Sequence, residues 1–222
     1  MTPASGCVCR CNRFSGFLIR VVAGGLALCA SAAFAQPYVH DQTIGRDGPG
    51  PGQFGFAVTD VAIDPQGRII AVDSSSHAYE VCDFDGECEE FGGNGDGLGQ
   101  FFNPSSVDVN SDGDILIVDA GNRRVQRCDY DGNCELFEAD FDDGGLQWFP
   151  MGVAVDSQDR VIISDGWHRI IVCPPAGGDC DVFGEGGLAE GQFSSPKAVA
   201  IDANDQIVVA DTYLTVAHLN AP

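Results

Sequence analysis

Six of the ten cysteines fall into three close pairs. Cys82 and Cys88 flank DFDGE, Cys128 and Cys134 flank DYDGN, and Cys173 and Cys180 flank PPAGGD. Thiols at such spacing can form disulfides or ligate zinc. Five intervening residues suit a hairpin with a three-residue loop, Phe84-Asp85-Gly86 or Tyr130-Asp131-Gly132, whose glycine takes the left-handed position. That register sets the two cysteines directly opposite each other, roughly 4.5–5.5 Å apart and within reach of a disulfide. The longer segment between Cys173 and Cys180 gives a four-residue loop with the same result. Six cysteines allow about 15 pairings in principle. Hairpin parity selects the three local ones, Cys82–Cys88, Cys128–Cys134 and Cys173–Cys180.

The carboxylates offer other chemistry. Asp108, Asn110, Asp112, Gly113, Asp114 and Asp119 occupy positions of a calcium-binding loop, with Asp in place of the usual final Glu. The competing reading makes the same residues a turn and a strand end, with no flanking helices. Asp119 also recurs as Asp73, Asp165 and Asp211, each 46 residues after the last. A catalytic carboxylate has no reason to appear in every unit, so these four are expected to be structural and to cap the turn that follows them. Arg124 and Arg169 are expected to pair with backbone or carboxylate. Asp108 stands where the other units have alanine, and is expected to be solvated in a central channel.

The four histidines are His40, His77, His168 and His218. His77 and His168 lie on equivalent loops, which keeps a zinc site open as an alternative. Trp148, Trp167 and Tyr213 form either an exposed recognition patch or packing between units. The glycine-rich runs around Gly48–Gly52 and Gly92–Gly99 precede strands and do not open helices, so they read as crossings and not as phosphate cradles. No nucleophile elbow or HExxH motif is present. No catalytic residue is assigned and no cofactor is expected, with calcium or zinc as the alternatives.

The elements that position these residues follow from the 46-residue step. Pro104, Pro150 and Pro196 keep it, as do Val61, Val107, Val153 and Val199. Each unit shows four strand signals. The first strand holds Val61–Ile63, Val107–Val109, Val153–Val155 or Val199–Ile201. A four-residue turn follows, opened by Asp64, Asn110, Asp156 or Asp202. The second strand is a nearly continuous apolar run: Ile69–Val72, Ile115–Val118, Val161–Ser164 and Ile207–Ala210. A strand with one wet face alternates polar and apolar residues, so a continuous run implies cover on both faces. The third and fourth strands carry the cysteines. Four-stranded units copied at about this period indicate an all-β propeller with about four visible blades. Blades stacked on each other cover both faces without helices. They also keep cysteines of different blades apart at the outer edge, which disfavours zinc.

The repeat resembles the NHL repeat. In repeat two the matching residues are Gly99-Gln100-Phe101, Pro104, Val107, Asp112-Gly113, Ile117-Val118-Asp119, Asn122, Arg124-Val125 and Asp131-Gly132. Repeat three matches through Phe149-Pro150, Val153 to Asp156, Asp165 and His168-Arg169. Repeat one has Ala78 in place of the arginine and Val58 in place of the proline. Repeat four matches from Gly191 to Asp211-Thr212 and then departs. The resemblance implies a ring of about six blades. The chain therefore reads as an incomplete six-bladed ring or as a four-bladed one latched by an outer strand over residues 38–44. It also implies a role in binding protein or a small ligand; the rival is a metal-dependent propeller enzyme, a lyase or lactonase, or an inactive fragment.

Residues 1–35 read as a secretory signal peptide. Arg10, Arg13 and Arg20 are followed by an apolar run and by Ala33-Phe34-Ala35, a cleavage pattern that leaves Gln36 first. The run is too short for the ~20 residues needed to span a bilayer. A lipoprotein reading through Cys29 meets Leu28 where a small residue is usual. Residues 36–222 then form the propeller domain, secreted or periplasmic, where disulfides persist. The whole chain carries 33 acidic and 11 basic residues, a formal charge of −22. Removing the leader leaves 8 basic residues and a charge of −25. Such a surface repels phosphate backbones, so no nucleic-acid partner is expected.

Overall fold

The structure is a computed structural model and describes residues 43–48, 50–141, 148–212 and 217–219. Contacts divide the chain into two units, Met1–Asp41 and Gln42–Pro222, and all described residues belong to the second. The leader lies outside them. So does most of the expected latch at 38–44, of which Thr43 and Ile44 are described and are not in a strand.

Four antiparallel sheets follow one another along the chain. Blade one consists of β1 (Val58–Ile63), β2 (Ile69–Asp73), β3 (Ala78–Cys82) and β4 (Cys88–Gly92). Blade two holds β5 (Ser106–Val109), β6 (Ile115–Asp119), β7 (Arg124–Cys128) and β8 (Cys134–Leu136). Blade three holds β9 (Pro150–Val155), β10 (Val161–Asp165), β11 (Arg169–Cys173) and β12 (Asp181–Phe183). Blade four shows β13 (Pro196–Ile201), β14 (Ile207–Asp211) and β15 (Ala217–Leu219). In each sheet the strands are ordered as in the chain. The first strands of successive blades pack side by side, and no closed ring forms among the described residues.

The turn between first and second strands forms for a local reason. The N–H of its fourth residue bonds to the carbonyl of its first, from Gly67 to Asp64 at 2.9 Å, Gly113 to Asn110 at 3.1 Å, Asp159 to Asp156 at 3.0 Å and Asp205 to Asp202 at 3.1 Å. The opening carboxylate then accepts two further N–H groups, as Asp64 Oδ1 does from Gln66 and Arg68. This explains why Asp or Asn opens the turn. The closing residue is left-handed, with φ of 88° at Gly67 and 59° at Asp159.

Three apolar seams form the core. The first joins Ala62, Ile70, Val72 and Tyr79 of blade one to Val107, Ile115 and Ile117 of blade two, with Phe101. The second joins Leu116, Val118 and Val125 to Val153, Val161, Ile163 and Ile171. The third joins Ile162, Ile170 and Val172 to Ile207 and Val209, with Phe193. Each middle second strand thus faces two seams, and β6 and β10 are buried throughout. The end blades differ from expectation: Ile69 and Val208 are half-buried and Ala210 is exposed, because each has one neighbour.

Polar links cross the seams as well. Asp60 Oδ2 accepts Ser106 Oγ–H at 2.6 Å and Val107 N–H at 3.0 Å. Asp108 Oδ2 accepts Val155 N–H at 2.7 Å. The expected solvated carboxylate is therefore a blade-to-blade staple. Burial pushes its carboxyl above the usual range; the two N–H bonds that it accepts oppose the shift. Asp159 accepts both N–H and Oγ–H of Ser111, and Asp205 those of Ser157.

Candidate functional site

Asp73, Asp119, Asp165 and Asp211 end the second strands and are buried. Each accepts an N–H from the segment entering its own blade: Gly55 for Asp73, Phe102 for Asp119 at 2.7 Å, Phe149 for Asp165 at 3.2 Å, and Ser194 and Ser195 for Asp211 at 2.7 Å. This incoming bond is common to all four. Capping of the following turn, the expected role, occurs at Asp73, through the N–H of Ser75, and at Asp165, through that of Trp167. A strand-end carboxylate facing two loops takes the nearer donors from both, and the distant one in sequence was not predictable from turn chemistry.

The charges of these carboxylates are answered differently. Arg124 Nε meets Asp119 Oδ2 at 2.7 Å, and its other nitrogens reach the carbonyls of Asp96, Gly97 and Gln100. Arg169 pairs with Asp165. Blade one has Ala78 at this position, and Ser75 donates to Asp73 instead. Arg124 and Arg169 thus do bond to carboxylate.

The same network fixes a row of aromatics on one end of the blades. Phe56 follows the clamped Gly55, Phe102 is itself clamped, and Trp148 precedes the clamped Phe149. The three share one position in the 46-residue frame. Phe56 is fully exposed, Phe102 is exposed and Trp148 half-buried. Trp167, in a loop at this end, is also exposed. Sequence analysis grouped Trp148 with Trp167 and Tyr213 but missed Phe56 and Phe102; extending the repeat step to aromatics would have found them. Tyr213 lies outside the described residues.

Beside this row, a cavity of about 310 Å³ lies between blades two and three, lined by Arg123, Arg124, Leu136, Phe137, Phe141 and Trp148. Phe141 and Trp148 pack at 5.0 Å between ring centroids, and the Arg169 guanidinium sits 5.4 Å from the Phe141 ring. Glu138 and Asp140 line it too, so two arginines, two carboxylates and three aromatic rings meet here.

The other sequence candidates are placed as follows. Cys82–Cys88, Cys128–Cys134 and Cys173–Cys180 are disulfides, with Cα atoms 4.1, 4.1 and 4.3 Å apart. Cys82 faces Cys88 and Cys128 faces Cys134 in the strand register. His77 Nδ1 accepts Asn103 N–H at 3.1 Å, and its ring packs on Phe102. His40 lies outside the described residues, and the side chain of His218 is not described. Among the described residues, one group of three potential metal ligands converges, Glu80 with Cys82 and Cys88, and both sulfurs are in the disulfide. Asp108 and Asp119, the ends of the calcium-like loop, turn to different partners: Val155 and Arg124.

Residues 101–128 match the family model of the NHL repeat. The chain carries an NHL repeat at these residues, within a β-propeller fold of repeated four-stranded sheets. No curated protein matches its sequence. Among solved structures, it is similar to a catalytically inactive virginiamycin B lyase from Staphylococcus aureus with quinupristin. Identity is 15%, the TM-score 0.54, and the match covers 72% of this chain and 54% of that one. A gluconolactonase from Xanthomonas campestris is 18% identical, with a TM-score of 0.54 over 72% of this chain and 57% of that one. The computationally designed Ika4 protein is 14% identical, with a TM-score of 0.53 over 82% of this chain and 98% of that one. The chain thus spans little more than half the length of the lyase and lactonase chains. At these identities the likeness is one of fold.

Proposed function

We propose that this NHL propeller is a secreted or periplasmic scaffold that binds a protein or small ligand through the aromatic end of its blades. The observation that carries the reading is the row Phe56, Phe102 and Trp148. Residues that only pack a propeller are buried in its seams, whereas Phe56 is fully exposed at a position repeated in successive blades. Exposed aromatics side by side mark recognition surfaces. The neighbouring cavity, with two arginines and two carboxylates among its lining, gives that surface polar groups of the kind that fix orientation in binding sites. Residues 1–35 serve as the signal peptide in this reading, and 36–222 as the working domain. Three disulfides support an oxidising destination. Among the described residues no helix is long and apolar enough to cross a membrane.

The test is site-specific photocrosslinking in the native host, with the crosslinker at Phe56 or Phe102 and, as control, at Phe84, which is exposed on the hairpin loop of blade one. Adducts confined to the first two positions are expected. Equal adducts at all three, or none, overturn the reading, as does turnover of a lactone or streptogramin by the metal-loaded protein.

A further inference from the structure

Each seam joins two unlike faces. The forward face of a blade presents Ala62, Ile70 and Val72 in blade one and Ala154 and Ile162 in blade three. The backward face of the next presents Val107, Ile115 and Ile117 in blade two and Val199, Ile207 and Val209 in blade four. The backward face of blade one and the forward face of blade four are left over. Val61 and Ile63 are 59% and 66% exposed, whereas Val107 and Val153, the counterparts of Val61, are 3% and 4% exposed. On blade four, Ala200 and Ala210 are exposed and Val208 half-buried. On the same faces Glu80 stands opposite Ala71, both buried, and His218 stands at the register position opposite Val208.

We propose that a second copy of this chain docks head to tail, the backward face of its blade one on the forward face of blade four. Ala71, Glu80 and Cys82 of the first face are covered, and its exposed part is Val61 and Ile63; these and the exposed part of the second face belong to the interface that the chain already makes three times, so the docked seam continues an established one. The latch positions agree. At the second and third seams Ser111 and Ser157 donate to Asp159 and Asp205. The new seam sets Ala203 opposite Gly67, neither of which brings a side-chain polar group needing a partner. The first seam, with Pro65 and Gly113 there, is equally bare of such groups. Because the two faces differ, the contact is heterologous. Such contacts close into rings or extend.

The experiment is native mass spectrometry and light scattering on the purified full chain at micromolar concentration. Masses of two or more copies are expected. I63D on one face and A200E on the other should each weaken association roughly tenfold or more, because each buries an unpaired carboxylate in the seam. Both positions are exposed in a single copy, and circular dichroism should be unchanged. Mixing the two variants should restore a species of two copies and no larger, since one intact seam remains between unlike partners. A monomeric wild type overturns the proposal and leaves the faces to another occupant, a different chain or residues 36–42 of this one. Variants that still self-associate, or a mixture that stays monomeric, overturn it equally.

Discussion

Replacing Glu80 by glutamine should stabilise the protein at pH 8 and change it little at pH 4. Glu80 is buried on β3 and accepts Gly52 N–H at 2.6 Å. Burial pushes its carboxyl up to about 7; the Gly52 bond pulls the other way, and Glu90 and Asp73 add repulsion. The unfolded chain has the ordinary value near 4.5. Between those two values the folded state holds a proton that the unfolded state has lost. Stability from this group is therefore complete below about pH 4.5, falls as pH climbs, and is gone above about 7. Full conversion at about 1.4 kcal/mol per unit would give roughly 3 kcal/mol. Solvent near the blade edge screens the charge, and the expected gain on substitution is about 1–2 kcal/mol at pH 8. Blade two contains the proof of principle. Gln126 stands at the same frame position, accepts Gly99 N–H at 3.0 Å and donates to Gln100 O at 2.8 Å and to Asp119. Thermal melts of wild type and E80Q at both pH values measure the effect. A rise in Tm of about 2–8 °C at pH 8 is expected, near zero at pH 4. Equal shifts at the two pH values, or no gain at pH 8, would refute the argument that a buried ionised carboxylate is the cause.

Three further outcomes are expected. Asp119→Ala strands Arg124 and removes the Phe102 clamp, and should cost about 3–5 kcal/mol in urea denaturation; Asp211→Ala, at a carboxylate with no ion pair among the described residues, should cost less. Cys82→Ser with Cys88→Ser opens a loop of sequence separation 6, and should cost about 2 kcal/mol, with the same loss on reducing the wild-type bridge. Gly184→Ala should cost about 1–3 kcal/mol, because φ is 93° and an added Cβ would lie 2.5 Å from the Phe193 ring; a neutral substitution at this site would show that the crossing can shift.

The strands were legible because their signals are local. Ile115–Val118 is apolar because both its faces are dry, and Cys128 pairs with Cys134 because a three-residue loop leaves no other register. The partners of Asp119 were only half legible. Arg124 was expected to find a carboxylate or backbone, but the bond from Phe102 joins residues 17 apart that meet only once the blade has curled. Asp108 looked like a channel residue because its neighbours in the frame are alanines; its bond to Val155 crosses to another blade. Glu80 gave no signal at all. A carboxylate in a strand otherwise reads as solvated, and its burial depends on the glycine crossing that folds over it. The aromatic row was legible in principle, because Phe56, Phe102 and Trp148 keep the 46-residue step.

All three bridges close between consecutive cysteines, within one hairpin each. From Cys82 onward the chain therefore meets the correct thiol next, and each of the first three blades can be locked without waiting for the one that follows it. Among the described residues no bridge spans two blades, so duplication or loss of a whole blade during evolution would strand no sulfur and demand no rewiring.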